Sequence, residues 1–127
     1  MKTWVAFFRS RVRSFGYAFK GIATLFSTQT NARIHLLAVV IIVALGFYLA
    51  LSLTEWAIIA VCMGVVLATE AINTAIEFMI DLVSPEHHPL AGKAKDVAAG
   101  AVLLSVILCG VAWGLIYIPK IIALFSE

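Results

Sequence analysis

Glu70, Asn73, Glu77 and Asp81 stand three, four and four residues apart in an otherwise oily run that begins at Trp56. On a helix that spacing puts all of them on one face. Carboxylates set beside an amide suit two kinds of chemistry: removing a proton from a hydroxyl, and holding a hard cation. A helical rise of about 21 Å from Trp56 puts Glu70 in the inner third of a bilayer core about 30 Å thick, with Glu77 near its boundary and Asp81 in the aqueous layer. A carboxylate at the depth of Glu70 costs at least about 2.5 kcal/mol on insertion scales, so it must face protein or water. Lys93, Lys95, Asp96, His87 and His88 belong to the same membrane side. Carboxylates, an amide and cations are thus gathered at one interface, where a water-soluble reactant can meet a lipid. The same stripe also fits interhelical hydrogen bonding in an assembly subunit, or an ion pathway through a small channel. Against a pathway, the central parts of the other two apolar runs carry no charge, and nothing extends the stripe toward the outer face.

The elements that must hold these residues follow from composition. Of 127 residues, 63% are hydrophobic and 13% charged, against about 25% charged in soluble domains. The chain reads as a single integral membrane domain, all-α. Its spans fall over about 34–53, 56–76 and 97–118, each near the 20 residues or so needed for a crossing. The first connection is so short that the first two spans form an antiparallel hairpin, with Leu53 and Thr54 at the turn. Pro89 is expected in the first turn of the helix that becomes span three. Gly110 and Gly114 form a GxxxG there, which allows close helix approach. Cys62 and Cys109 lie in apolar runs and read as packing residues.

Ahead of the spans, residues 1–28 form an amphipathic helix. Trp4, Phe7, Phe8, Val12, Phe15, Phe19, Ile22 and Phe26 share one stripe, with Lys2, Arg9, Arg13 and Lys20 nearly opposite. Such a helix lies in the membrane surface. Arg11 projects toward the aromatic side, either as a snorkelling side chain or as part of a phosphate site. All six basic residues up to Arg33 precede the first acid, Glu55. With Lys93 and Lys95 in the second connection, that bias makes the N-terminus cytoplasmic and the C-terminus external. No secretory signal is expected. Soluble nucleotide motifs are missing too: there is neither GxxxxGK[ST] nor GxGxxG.

The run EAINTAIEFMIDLVSPEHHPLAGKAKDVAAGAVLL, Glu70 to Leu104, together with SFGYAFKGI (Ser14 to Ile22) and NARIH (Asn31 to His35), closely resembles the prokaryotic diacylglycerol kinase family, which includes the undecaprenol kinases. The resemblance implies a homotrimer in a bacterial cell membrane, with three membrane helices and a surface helix per chain and active sites shared between neighbours. It implies transfer of the γ-phosphoryl group of ATP, with Mg²⁺, to a lipid alcohol, and no nucleic-acid partner. By residue match, Glu70 is the general base, Glu77 a metal-binding carboxylate, Asn73 an active-site amide, and Lys95 with Asp96 the pair that engages the nucleotide. Gln29 stands where the family places a second metal-binding glutamate. An amide oxygen carries no charge, so the resemblance implies weaker Mg²⁺ binding, help from another acid, or a degenerate member impaired at Gln29. The family's N-terminal arginine registers onto Ser10, between Arg9 and Arg11. The NARIH and SPEHHPLAGKAKDVAAGAVLL segments look more like the undecaprenol kinase branch than the diacylglycerol branch.

Overall fold

The computed structural model describes residues 2–86 and 88–126, apart from the side chains of Lys2 and Thr3. His87, and the Lys2 side chain expected on the polar face of the first helix, lie outside the described residues. Four helices follow one another: α1 (Lys2–Thr28), α2 (Thr30–Tyr48), α3 (Leu53–Val83) and α4 (Pro89–Leu124). The last three are long and apolar enough to cross a membrane. Helices α3 and α4 pack most extensively; α2 lies against α3, and α1 touches α2 and α3 more lightly.

A single extended residue, Gln29, separates α1 from α2. Arg33 reaches back across this break and donates from Nε to the Phe26 carbonyl at 2.7 Å and from Nη2 to that of Ser27. A cation on the last carbonyls of a helix satisfies acceptors that have no partner within it. Arg11 sits with its guanidinium 5.5 Å from the centroid of the Phe7 ring, so on α1 it does lean toward an aromatic neighbour.

The first hairpin turn lies earlier than the apolar pattern suggests. Leu53 and Thr54 are the first residues of α3, and the chain reverses over residues 49–52. Two local features fix that position. Ala50 takes a positive φ of 48°, and Ser52 caps α3 reciprocally: its hydroxyl accepts from the Glu55 N–H, and the Glu55 carboxylate accepts from the Ser52 N–H at 2.7 Å. This capping box sets the start of the helix more tightly than hydropathy does.

Helix α3 then runs on past Ile76 to Val83, carrying the whole polar stripe as one rigid face, and α4 begins at Pro89, well before Val97. Pro89 occupies the first turn of α4, after an N-cap in which the His88 ring accepts from the Leu90 N–H.

The densest core is at the end of the bundle remote from Glu70. There Leu51, Ile59 and Tyr117 are buried, with Ile42, Trp56 and Trp113 packed around them. The Tyr117 hydroxyl donates to the Ile42 carbonyl at 2.8 Å, and Lys120 pairs with Glu55 at 3.2 Å. Further along, Thr69 and Ser105 hydrogen-bond between α3 and α4, and Cys109 packs its sulfur 3.6 Å from the Cys62 carbonyl. Both cysteines are free. Among the described residues nothing beyond the local backbone comes within 4 Å of where a Cβ of Gly110 would stand, whereas at Gly114 the Ile118 side chain would lie 3.6 Å away.

Candidate functional site

Helix α3 delivers Glu70 into the interior, where only 2% of the residue is exposed. A buried carboxylate needs a partner, and the basic side chain that comes within reach is on α2: His35 Nε2 lies 3.9 Å from Glu70 Oε2. One turn on, Asn73 is buried as well and donates from Nδ2 to Glu77 Oε1 at 3.0 Å. That bond fixes the half-buried Glu77 carboxylate along the helix. The second half of the Asn73 amide, Oδ1, and the neighbouring Thr74 hydroxyl are buried without a partner. Buried polar atoms are nearly always paired, so these two mark a place where hydrogen-bonding capacity is held in reserve.

Asp81, at the aqueous end of the stripe, forms a hydrogen-bonded ion pair with Lys95 of α4. Only the short link over residues 84–88 separates the two helices, which brings residues 14 apart in sequence together. Around this pair Ser84, Glu86, His88 and Gly92 line a polar pocket of about 270 Å³. A second pocket, of about 450 Å³, lies between α1 and α3 and is apolar, lined by Ile22, Leu25, Ala71, Thr74, Ala75 and Phe78. Both are lined by α3, the apolar one over residues 71–78 and the polar one over residues 80–84, and Asn73 and Glu77 fall within the stretch of the apolar pocket.

The structure therefore joins Glu70 to His35, Asn73 to Glu77, and Asp81 to Lys95. It leaves two of the expected site residues apart from these pairs. Gln29 sits at the α1–α2 break with a side chain that makes no capping bond, and Asp96 is exposed on α4. Sequence reasoning did not single out His35. Its only trace was a place in the NARIH segment, since a contact between helices leaves no spacing to read. Among the described residues no three His, Cys, Asp or Glu side chains converge to hold a metal ion. A cation here would need oxygens from a substrate as well, as Mg²⁺ commonly does.

Three apolar membrane-length helices, with buried polar residues on α3 and an oily and a polar pocket along that same helix, define a membrane protein with polar chemistry built into an apolar frame. The profile of the family described as prokaryotic diacylglycerol kinase matches residues 16–117. An undecaprenol kinase of Bacillus subtilis (strain 168) is 39% identical over 109 residues, covering 86% of this chain and 89% of the relative. A diacylglycerol kinase of Synechocystis sp. is 38% identical over 112 residues, 87% of this chain and 64% of the relative. A diacylglycerol kinase of Haemophilus influenzae is 28% identical over 103 residues, 81% and 87%. The chain belongs to the prokaryotic diacylglycerol kinase family, and it is a lipid kinase.

Proposed function

We propose that the protein transfers the γ-phosphoryl group of ATP to the hydroxyl of a membrane lipid alcohol, with undecaprenol as the preferred acceptor. The observation that carries this reading is the burial of Glu70 on α3, beside Ala71 of the apolar pocket, on the same helix that lines the polar pocket. The apolar pocket beside α1 suits a lipid chain, and the polar pocket at Lys95 suits phosphates. Glu70 takes the proton of the lipid hydroxyl as its oxygen attacks phosphorus. Lys95 leaves Asp81 for the nucleotide phosphates. The exchange costs little, because an exposed ion pair is worth only about 0–1 kcal/mol. Asn73 holds Glu77 in place, and Asp96 engages the nucleotide from α4.

The residues fit Mg²⁺. The Glu77 carboxylate and the unpaired Asn73 Oδ1 are hard oxygen donors one turn apart, and Gln29 adds an amide oxygen. Bound there, the ion would neutralise phosphate charge.

The acceptor preference follows the higher identity to the Bacillus undecaprenol kinase than to the Haemophilus enzyme. The Synechocystis relative, at 38%, favours diacylglycerol as the second reading. In the proposed arrangement α1 lies amphipathically in the cytoplasmic membrane surface, the C-terminus is external, and three copies assemble with shared sites. The open Gly110 face and the lightly packed α1 support that assembly.

The test is transfer of labelled γ-phosphate from MgATP in mixed micelles, comparing undecaprenol with diacylglycerol and including Glu70→Gln. Product that disappears in the variant and is greater with undecaprenol is expected. Full activity of Glu70→Gln sinks the assigned base, and faster labelling of diacylglycerol overturns the preference.

A further inference from the structure

We propose that His35 carries the proton out of the active site: it takes the proton that Glu70 has removed from the lipid hydroxyl and passes it to water in the groove between α2 and α4. The inference rests on the reading of Glu70 as the base. Phosphorylating an alcohol with ATP yields a phosphate ester, ADP and one proton. If Glu70 accepts that proton, it must lose it before the next turnover can begin. Its own route to water is closed, since it is 2% exposed.

The surroundings leave one acceptor in place. Glu77, seven residues along α3, accepts a hydrogen bond from Asn73. On α4, the residues that share the groove with His35 are Ala99, Val102, Leu103 and Val106, none of which titrates. On α2 itself, Arg33 is committed to the Phe26 and Ser27 carbonyls of α1. Three contacts between basic and acidic side chains within 4 Å occur among the described residues, and His35 is the partner in the one that includes Glu70.

His35 also has the second contact that a relay requires. With a side chain 18% exposed, it meets Glu70 on one side and helps line a groove of about 280 Å³ with Asn31 and Ile34 on the other. An imidazole can accept a proton at one nitrogen while it gives one up at the other. At 3.9 Å the contact is longer than a hydrogen bond, and catalytic contacts often tighten only when substrate binds. In the first step the O–H bond of the Glu70 carboxylic acid breaks as an N–H forms on His35. In the second, the imidazolium gives its proton to a groove water and returns to the neutral ring.

His35→Gln separates conduction from mere positioning, because an amide can hydrogen-bond to Glu70 but cannot carry a proton away. Rapid-quench measurement of labelled phosphate transfer to undecaprenol in micelles reads both the first turnover and the steady state. For His35→Gln the first turnover is expected near the wild-type rate, with the steady state slowed about a hundredfold, the lower end of what proton transfer groups contribute. His35→Ala should recover its steady state as imidazole is added. A His35→Gln steady state within about twofold of wild type overturns the proposal. So does a first turnover slowed as much as the steady state, which would make His35 part of the transfer itself. The Glu70→Gln control keeps the two readings apart: wild-type rates there remove the base, whereas an inactive control beside an unimpaired His35→Gln removes only the relay.

Discussion

Asn73→Leu exchanges the buried amide for an apolar group of similar size, and two opposed terms then set the change in stability. The variant loses the Nδ2–H bond to Glu77 Oε1. A bond to a charged group is worth about 1.5–3 kcal/mol, with the lower end applying because half-buried Glu77 can turn to water instead. It also removes Oδ1, a buried acceptor without a partner, whose desolvation costs about 1–3 kcal/mol in the native protein. The terms nearly cancel, and the net change should stay within about 1–2 kcal/mol of zero. Catalysis has no such offset. Glu77 loses its anchor and the nucleotide site loses a hydrogen-bond acceptor, so about 1.5–3 kcal/mol of transition-state binding disappears, or about ten- to a hundredfold in kcat/KM for ATP. Thermal unfolding in detergent and initial rates at varied MgATP measure the two quantities on the same preparation. A loss of more than about 3 kcal/mol in stability, or kcat/KM within about twofold of wild type, would refute the argument.

Gln29→Glu supplies the missing negative charge at the α1–α2 break, and the Mg²⁺ concentration giving half-maximal activity at saturating ATP should fall. An unchanged Mg²⁺ requirement would show that this position is not part of the metal site. Gly46→Ala tests the remote core. Its new Cβ would stand 2.7 Å from Trp56 Cη2 and 3.2 Å from the Tyr117 hydroxyl, while the Trp56 ring is held against Phe47 at a centroid distance of 4.9 Å. Overpacking of this kind costs about 1–3 kcal/mol, so the unfolding temperature in detergent should drop; a wild-type value counts against close packing there.

How far the site could be read in advance depended on where its contacts lie. Glu70, Asn73, Glu77 and Asp81 were legible because one helix carries them all and helical periodicity puts them on one face. The Asp81–Lys95 pair needed the tight link over 84–88, and the His35–Glu70 pair needed α2 packed against α3; neither geometry is encoded in local spacing. Hydropathy puts the first turn at Leu53 and Thr54, whereas the Ser52–Glu55 capping signature, equally present in the sequence, starts α3 at Leu53 and leaves the turn ahead of it. Windows sized to a bilayer also end where polar residues begin. Helices do not, which is why α3 continues through Glu77 and Asp81 to Val83.

The Glu55–Lys120 pair has a meaning for how the chain enters its membrane. In the proposed orientation these two side chains must cross the bilayer during synthesis, Glu55 with the first hairpin and Lys120 only when α4 follows. Until then Glu55 is not bare, because the Ser52 N–H is bonded to its carboxylate through the cap of its own helix. Lys120 arrives later at a waiting counter-charge, 3.2 Å away in the finished fold. Glu55 and Lys120 therefore meet as a pair at the translocated end, and in that orientation the basic residues of α1 stay on the cytoplasmic side.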